Sequence, residues 1–151
     1  MNTQSETPTV LVIHGPNLNM LGLREPGIYG QTTLADINAE LQTLGARLGL
    51  SVEAMQSNVE GDIVDKIQAA APIISGMIIN PAAYTHTSVS IRDALLMLQV
   101  PIIEVHLSNI YKREKFRRHS YMADVVTGQI TGLGADGYYL ALRALANLVK
   151  T

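Results

Sequence analysis

Hydrophobic positions along this chain alternate between two patterns. "TVLVIH" (Thr9–His14) is a short, unbroken apolar run, the mark of a strand buried on both faces. Leu34, Ile37, Leu41, Leu44 and Leu48 then recur at three- and four-residue spacing, which predicts a helix over Leu34–Gly49. Thr32 and Thr33 are its candidate caps, with Asp36 in the first turn. The alternation continues with a strand at Ser51–Gln56, a helix in "GDIVDKIQAAA" that Pro72 stops, and a strand at Ser75–Asn80 that Pro81 stops. A helix in "SVSIRDALLML" cannot run past Pro101, and "PIIEVHL" is the next strand. The polar, basic stretch "NIYKREKFRRHSYMAD" reads as a connection with one or two helical turns. "VVTGQITGL" is a final strand, and "GYYLALRALANLVK" a closing helix.

Strands alternating with helices predict an α/β fold in which a parallel sheet is covered on both faces. Five such units in 151 residues predict a flavodoxin-like, doubly wound, five-stranded parallel sheet in a single domain, with residues 1–8 as a flexible tail. Ligands in such folds bind outside the carboxyl ends of the strands. Polar residues collect at those ends: Asn17, Asn19, Arg24 and Tyr29 after the first strand, "QSN" after the second, Asn80 and His86 after the third, and His106 and Ser108 after the fourth. Two His, several amides, a Ser and an Arg are thus expected at one edge.

The first of these connections is unusual. "GPNLNMLGLREPGIYG" (Gly15–Gly30) is far longer than the about 2–6 residues that usually join a strand to a helix. Its four Gly and two Pro suit a loop that folds over a ligand.

Composition narrows the classes. Hydrophobic residues make up 47% of the chain and charged residues 16%, a balance that points to burial against other subunits. A formal charge of -2 gives no bias toward nucleic acid or acidic membranes. The absence of Cys removes thiol chemistry and fits a reducing compartment, so the expected location is cytoplasmic. The start "MNTQSETPT" lacks the pattern of a signal peptide, and "AAAPIISGMII" is too short and too broken to span a bilayer.

Each candidate also has a plainer reading. Tyr29 can serve as a loop anchor, His86 can satisfy backbone groups near a helix start, His106 can be a core His, and Asn80 can cap a strand. The basic run "YKREKFRR" can be a solvated face. "GLGADG" (Gly132–Gly137) fits the dinucleotide pattern G-x-G-x-x-G, but the chain ends before the required second strand and acidic residue. It is read as a tight turn that lets the last helix approach the sheet. No P-loop, no HExxH and no acidic pair after the first strand is present, so no metal is expected. One Phe and no Trp argue against a flavin carrier.

Together, "HGPNLNMLGLREPGIYG", "NPAAYTHTSVSIRDAL" and "IEVHLSN...FRRHSY...GLGADGYYLAL" resemble the type II 3-dehydroquinate dehydratases, from about Val10 to Leu142. The resemblance implies cofactor-free removal of water from 3-dehydroquinate to give 3-dehydroshikimate in the shikimate pathway. It makes Tyr29 the base, Arg24 its activator, Asn17 a holder of the water that stabilises the enolate, and His106 the acid, oriented by Glu104. A Tyr is a poor base at its usual pKa of about 10, and a neighbouring cation corrects this. Residues 15–31 become the lid of the active site. Substrate binding falls to Asn80, His86, the backbone of Leu107, Ser108 and Arg117, with Arg113 near the lid. The resemblance also implies trimers assembled into a dodecamer, with Asp93 reaching a neighbouring subunit's site. His14 stands where many members have Asn, and Ala82 where Gly is frequent; both touch the frame of the site, which implies an effect on affinity rather than on the reaction. A small-anion binding module on the same fold remains the rival, separated from the enzyme by whether 3-dehydroquinate is turned over. The four Lys (Lys66, Lys112, Lys115, Lys150) lie in polar stretches, so no imine intermediate is expected.

Overall fold

The computed structural model describes residues 6–23 and 31–149. Five strands form one parallel sheet: β1 (Thr9–His14), β2 (Ser51–Gln56), β3 (Gly76–Asn80), β4 (Ile102–His106) and β5 (Gly128–Thr131). Their spatial order is β2-β1-β3-β4-β5, the flavodoxin-like order the alternation predicts. Among the described residues four α-helices cover it: α1 (Leu34–Leu48), α2 (Glu60–Ala70), α3 (Val89–Leu96) and α4 (Asp136–Leu148).

The period-two alternation of each strand divides the core. Val10 and Val12 of β1, Ile78 of β3, and Ile103 and Val105 of β4 pack with α1 and α4 on one face. Leu11 and Ile13, Met77 and Ile79, and Ile102 pack with α2 and α3 on the other. The same alternation aims the residues at the strand ends. His14 and Asn80, paired in register across β1 and β3, continue the α1/α4 face. Glu104 and His106 continue the face of Ile102, toward α2 and α3.

Local chemistry sets the helix starts. Thr33 caps α1 in a full capping box with Asp36, each accepting a backbone N–H from the other. That carboxyl is held below its usual range by these bonds. Ser88 caps α3 by accepting the Ile91 N–H.

The "GLGADG" turn has Gly132 and Gly134 at φ 89° and 59°, in the left-handed region. In α4, a Cβ on Gly137 would lie 3.3 Å from Val105 Cγ1, so the bare glycine lets the helix sit close to the sheet. Two single-turn elements escape the periodic pattern: 3-10 helices at Leu18–Met20 and Ala82–His86. The basic connection holds two more, Ile110–Lys112 and Lys115–Arg117.

Candidate active site

At the carboxyl edge of the sheet a cleft of about 500 Å³ is lined by Pro16, Asn17, Asn80, His86, His106, Leu107, Ser108, Arg113 and Arg117, among others. It lies where β1, β3 and β4 end, beside the point at which the strand order reverses. An adjoining hollow of about 470 Å³ shares Leu107, Ser108 and Arg113 and adds Lys112.

The floor is built by close approach. Gly15 donates its N–H to Asn80 O at 2.8 Å, and a Cβ there would meet Pro81 O at 2.4 Å. Only glycine lets the loop leave β1 this near the end of β3. Asn17, at φ 70°, donates its backbone N–H to Asn58 Oδ1, and Gln56 donates to Gly15 O. The start of the long loop is thereby tied to the end of β2.

His106 and Glu104 form the most constrained pair. Nε2 of His106 lies 2.6 Å from Glu104 Oε2, and Glu104 is fully buried. A buried carboxylate requires donors on both oxygens. Oε1 accepts from Gln129 at 2.8 Å and from Ser120 at 3.0 Å; Oε2 faces the Thr85 hydroxyl as well as His106. Burial works to raise the pKa of Glu104. The hydrogen bond and charge of His106, with the bonds from Thr85 and Gln129, outweigh burial and hold it below the usual carboxylate value. Glu104 is therefore ionised at neutral pH.

His86 stacks near His106, ring centroids 6.5 Å apart at 20°. Its Nδ1 lies 2.8 Å from His119 O. A carbonyl only accepts, so Nδ1 carries the proton and the neutral ring presents a bare Nε2. Burial depresses its pKa; the bond to His119 O opposes this, and the charges of His106 and Arg117 reinforce it. Arg117 is half-buried, with Nε 2.5 Å from Glu114 Oε2 and its guanidinium over the Phe116 ring. Arg117 and Arg113 give the cleft mouth its positive charge.

The chain matches the family model described as "Dehydroquinase class II" over residues 8–146. It is 59% identical over 141 residues to a protein of Geotalea daltonii named 3-dehydroquinate dehydratase, covering 93% of this chain and 98% of that protein. A protein of the same name from Acaryochloris marina is 56% identical over 95% of this chain and 97% of its own length. The crystal structure of the type II dehydroquinase from Propionibacterium acnes superposes with a TM-score of 0.90 at 48% identity, covering 95% of this chain and 99% of that one.

The chain belongs to the class II dehydroquinases.

Within this dehydroquinase fold, Asn17, Asn80, His86, His106, Leu107, Ser108, Arg113 and Arg117 come together on one cleft, and Glu104 stands directly behind His106. Arg24 and Tyr29 lie outside the described residues. Asp93 is exposed on α3, away from these groups; its neighbour Arg92 is committed to Asp124 and Tyr121 O rather than to Asp93. Among the described residues no group of three or more His, Cys, Asp or Glu is placed to hold a metal ion, and no helix is long and apolar enough to cross a membrane.

Sequence reasoning missed Thr85, Ser120 and Gln129, the donors that satisfy Glu104. A signal existed: an acidic residue inside the apolar run "PIIEVHL" must find donors if that run is a buried strand. It also missed Tyr138 and Asn38, which bracket His14. Tyr138 keeps the helical spacing of Ala141, Leu142 and Leu145, and so reads as core until its hydroxyl is located.

Proposed function

We propose that this chain dehydrates 3-dehydroquinate to 3-dehydroshikimate in the shikimate pathway, by an enolate-forming elimination that uses no cofactor. The buried Glu104–His106 pair behind the cleft, in a chain of this family, carries the reading. Tyr29 is the base for the acidic C–H beside the ketone, activated by Arg24. Residues 15–31 form the lid that brings both onto the substrate. Asn17 holds the water that stabilises the enolate oxygen.

His106 gives its proton to the departing hydroxyl, which leaves as water. Glu104 holds the ring through Nε2 and balances the charge of its protonated form. The proton taken by Tyr29 matches the one His106 gives, and exchange with solvent resets both. Asn80, the bare Nε2 of His86, the backbone of Leu107, Ser108 and Arg117 bind the substrate's hydroxyls and carboxylate, with Arg113 at the mouth. A product one water lighter by mass spectrometry is the expected result; substrate bound but recovered intact would favour the binding-module reading.

The chain acts in the cytoplasm as a homo-oligomer, a dodecamer built from trimers, in which Asp93 serves a neighbouring subunit's site. Val89 and Leu96 on α3 and Met97 just past its end, all exposed and three or four residues from Asp93, support an interface there. Light scattering should find a large assembly that Asp93→Ala weakens; a fully active monomer would overturn this.

A further inference from the structure

Behind the cleft, on the face of the sheet opposite to Glu104, runs a second buried polar chain. His14 Nε2 lies 2.8 Å from Asn38 Oδ1, and His14 Nδ1 lies 2.9 Å from the Tyr138 hydroxyl. The same hydroxyl accepts from Asn80 Nδ2 at 3.0 Å, and Asn80 Oδ1 accepts the Ala82 backbone N–H at 3.1 Å. His14 and Tyr138 are fully buried, and Asn80 is 2% exposed.

The polarity of this chain is fixed at one end. A backbone N–H can only donate, so Ala82 forces Asn80 to present its Oδ1 there. The amide nitrogen must then face Tyr138. With its oxygen accepting from Asn80, the Tyr138 O–H is committed to the bare Nδ1 of His14, which leaves the His14 proton on Nε2, facing the Asn38 oxygen. Each of the four hydrogen bonds then joins one donor to one acceptor. Burial pushes the His14 pKa down to about 4, so the ring keeps a single proton across the neutral range.

We propose that His14 and Tyr138 are positioning residues for the substrate: they hold the nitrogen end of the Asn80 amide while the Ala82 N–H holds its oxygen end, so that the amide stays still with one N–H, and one lone pair of its oxygen, left for the cleft. This rests on the assignment of Asn80 as a substrate-binding group. The link is physical. His14 and Asn80 sit side by side in register on neighbouring strands, and the Tyr138 hydroxyl joins them from the first turn of α4. Without that hydroxyl the amide loses the partner that holds its nitrogen, and its orientation is set by Ala82 alone.

A double-mutant cycle separates this claim from the assignment beneath it. Tyr138→Phe keeps the ring and removes the hydroxyl. It should raise KM for 3-dehydroquinate about fivefold to tenfold, the scale of one hydrogen bond, with kcat changed less than KM. Asn80→Ala should raise KM at least as much, and adding Tyr138→Phe to it should raise KM no further. If Asn80→Ala leaves KM unchanged, the assignment of Asn80 fails. If Asn80→Ala raises KM while Tyr138→Phe does not, or if the two effects add, the positioning role is overturned and the assignment stands. The wild-type protein gives an independent test that needs no variant to fold. Nitrogen-15 spectra should show His14 protonated on Nε2 and bare on Nδ1; the opposite tautomer would reverse the chain and overturn the proposal.

Discussion

His106 Nε2 stands 2.6 Å from an oxygen of Glu104, a carboxylate with no exposed surface. The relationship limits what His106 can do. Its ring cannot turn without leaving a buried charge short of a donor, so one edge stays on Glu104 while the residue lines the cleft.

Glu104→Gln tests that limit. The glutamine side chain has one oxygen and an NH2 group, but the site surrounds both terminal atoms with donors: Gln129 and Ser120 on one side, Thr85 and His106 on the other. The NH2 group fits only where the Thr85 hydroxyl and the His106 ring turn from donating to accepting, and no carboxylate then balances a protonated His106. A general acid contributes about 10²–10⁴-fold to rate, so kcat should fall by about tenfold to a hundredfold. The displaced donors should cost about 1–3 kcal/mol of stability. Unchanged kcat would show that His106 needs no carboxylate behind it.

Tyr29→Phe removes a single hydroxyl and should abolish nearly all turnover with the fold intact by circular dichroism. Arg24→Ala should also lose activity, and the pH profile of the residual rate should move to higher pH as the base loses its neighbouring cation. Near-normal activity in the first variant, or an unshifted profile in the second, would count against these roles.

His14 predicts a pH dependence of stability. Its pKa falls from 6.5 to about 4 on folding, chiefly through burial, with the Asn38 hydrogen bond partly opposing. The unfolded chain therefore takes up a proton below pH 6.5 that the folded chain refuses until about pH 4. Stability is fully present above 6.5 and declines as pH falls through this window, by up to about 3 kcal/mol. His86, also held low, acts in the same direction. The depressed carboxylates Glu104, Asp36, Glu114 and Asp124 lose their contribution only below their ordinary values of 4.5 and 3.8. Urea unfolding between pH 7 and 4.5 should show the decline, and His14→Asn should make it shallower. An unaltered slope in that variant would contradict the assignment.

Ala82 has φ 52°, where a side chain other than glycine is strained. Relief of about 1–2 kcal/mol in Ala82→Gly is offset by about 0.4–1 kcal/mol of added freedom in the unfolded chain. Net stabilisation of about 0.5–1 kcal/mol should follow, read as a rise of about 1–4 °C in Tm. A lower Tm would mean that the methyl group makes contacts worth more than the strain.

The sequence pattern carried the fold further than the site. β1 and β2 run over the residues that the sequence predicts: β1 because a strand covered on both faces must be continuously apolar, β2 as a part-exposed strand at the edge of the sheet. β5 is shorter than "VVTGQITGL" suggests: Val125 and Val126 instead donate to Met122 O and pack on the α2/α3 face, and only Gly128–Thr131 joins the sheet edge. The Ala82–His86 turn carries no periodic signal, since it is set by the Asn80 side chain and by the Tyr84 hydroxyl on Asn58 O. His86 and His106 were legible as residues at strand ends. Which nitrogen each uses was not, because that depends on His119 O and Glu104, fixed only in three dimensions.

The most direct measurement is to mix fresh 3-dehydroquinate with the protein, either untreated or first exposed to borohydride together with substrate and then freed of the reductant, and to follow the ultraviolet absorbance of the conjugated enone. Absorbance should rise at the same rate in both, and the protein mass should stay unchanged, since an enolate route forms no bond to Lys66, Lys112, Lys115 or Lys150. A flat trace would contradict the dehydration itself. A rate lost to borohydride, with a reduced adduct on any lysine, would contradict the enolate.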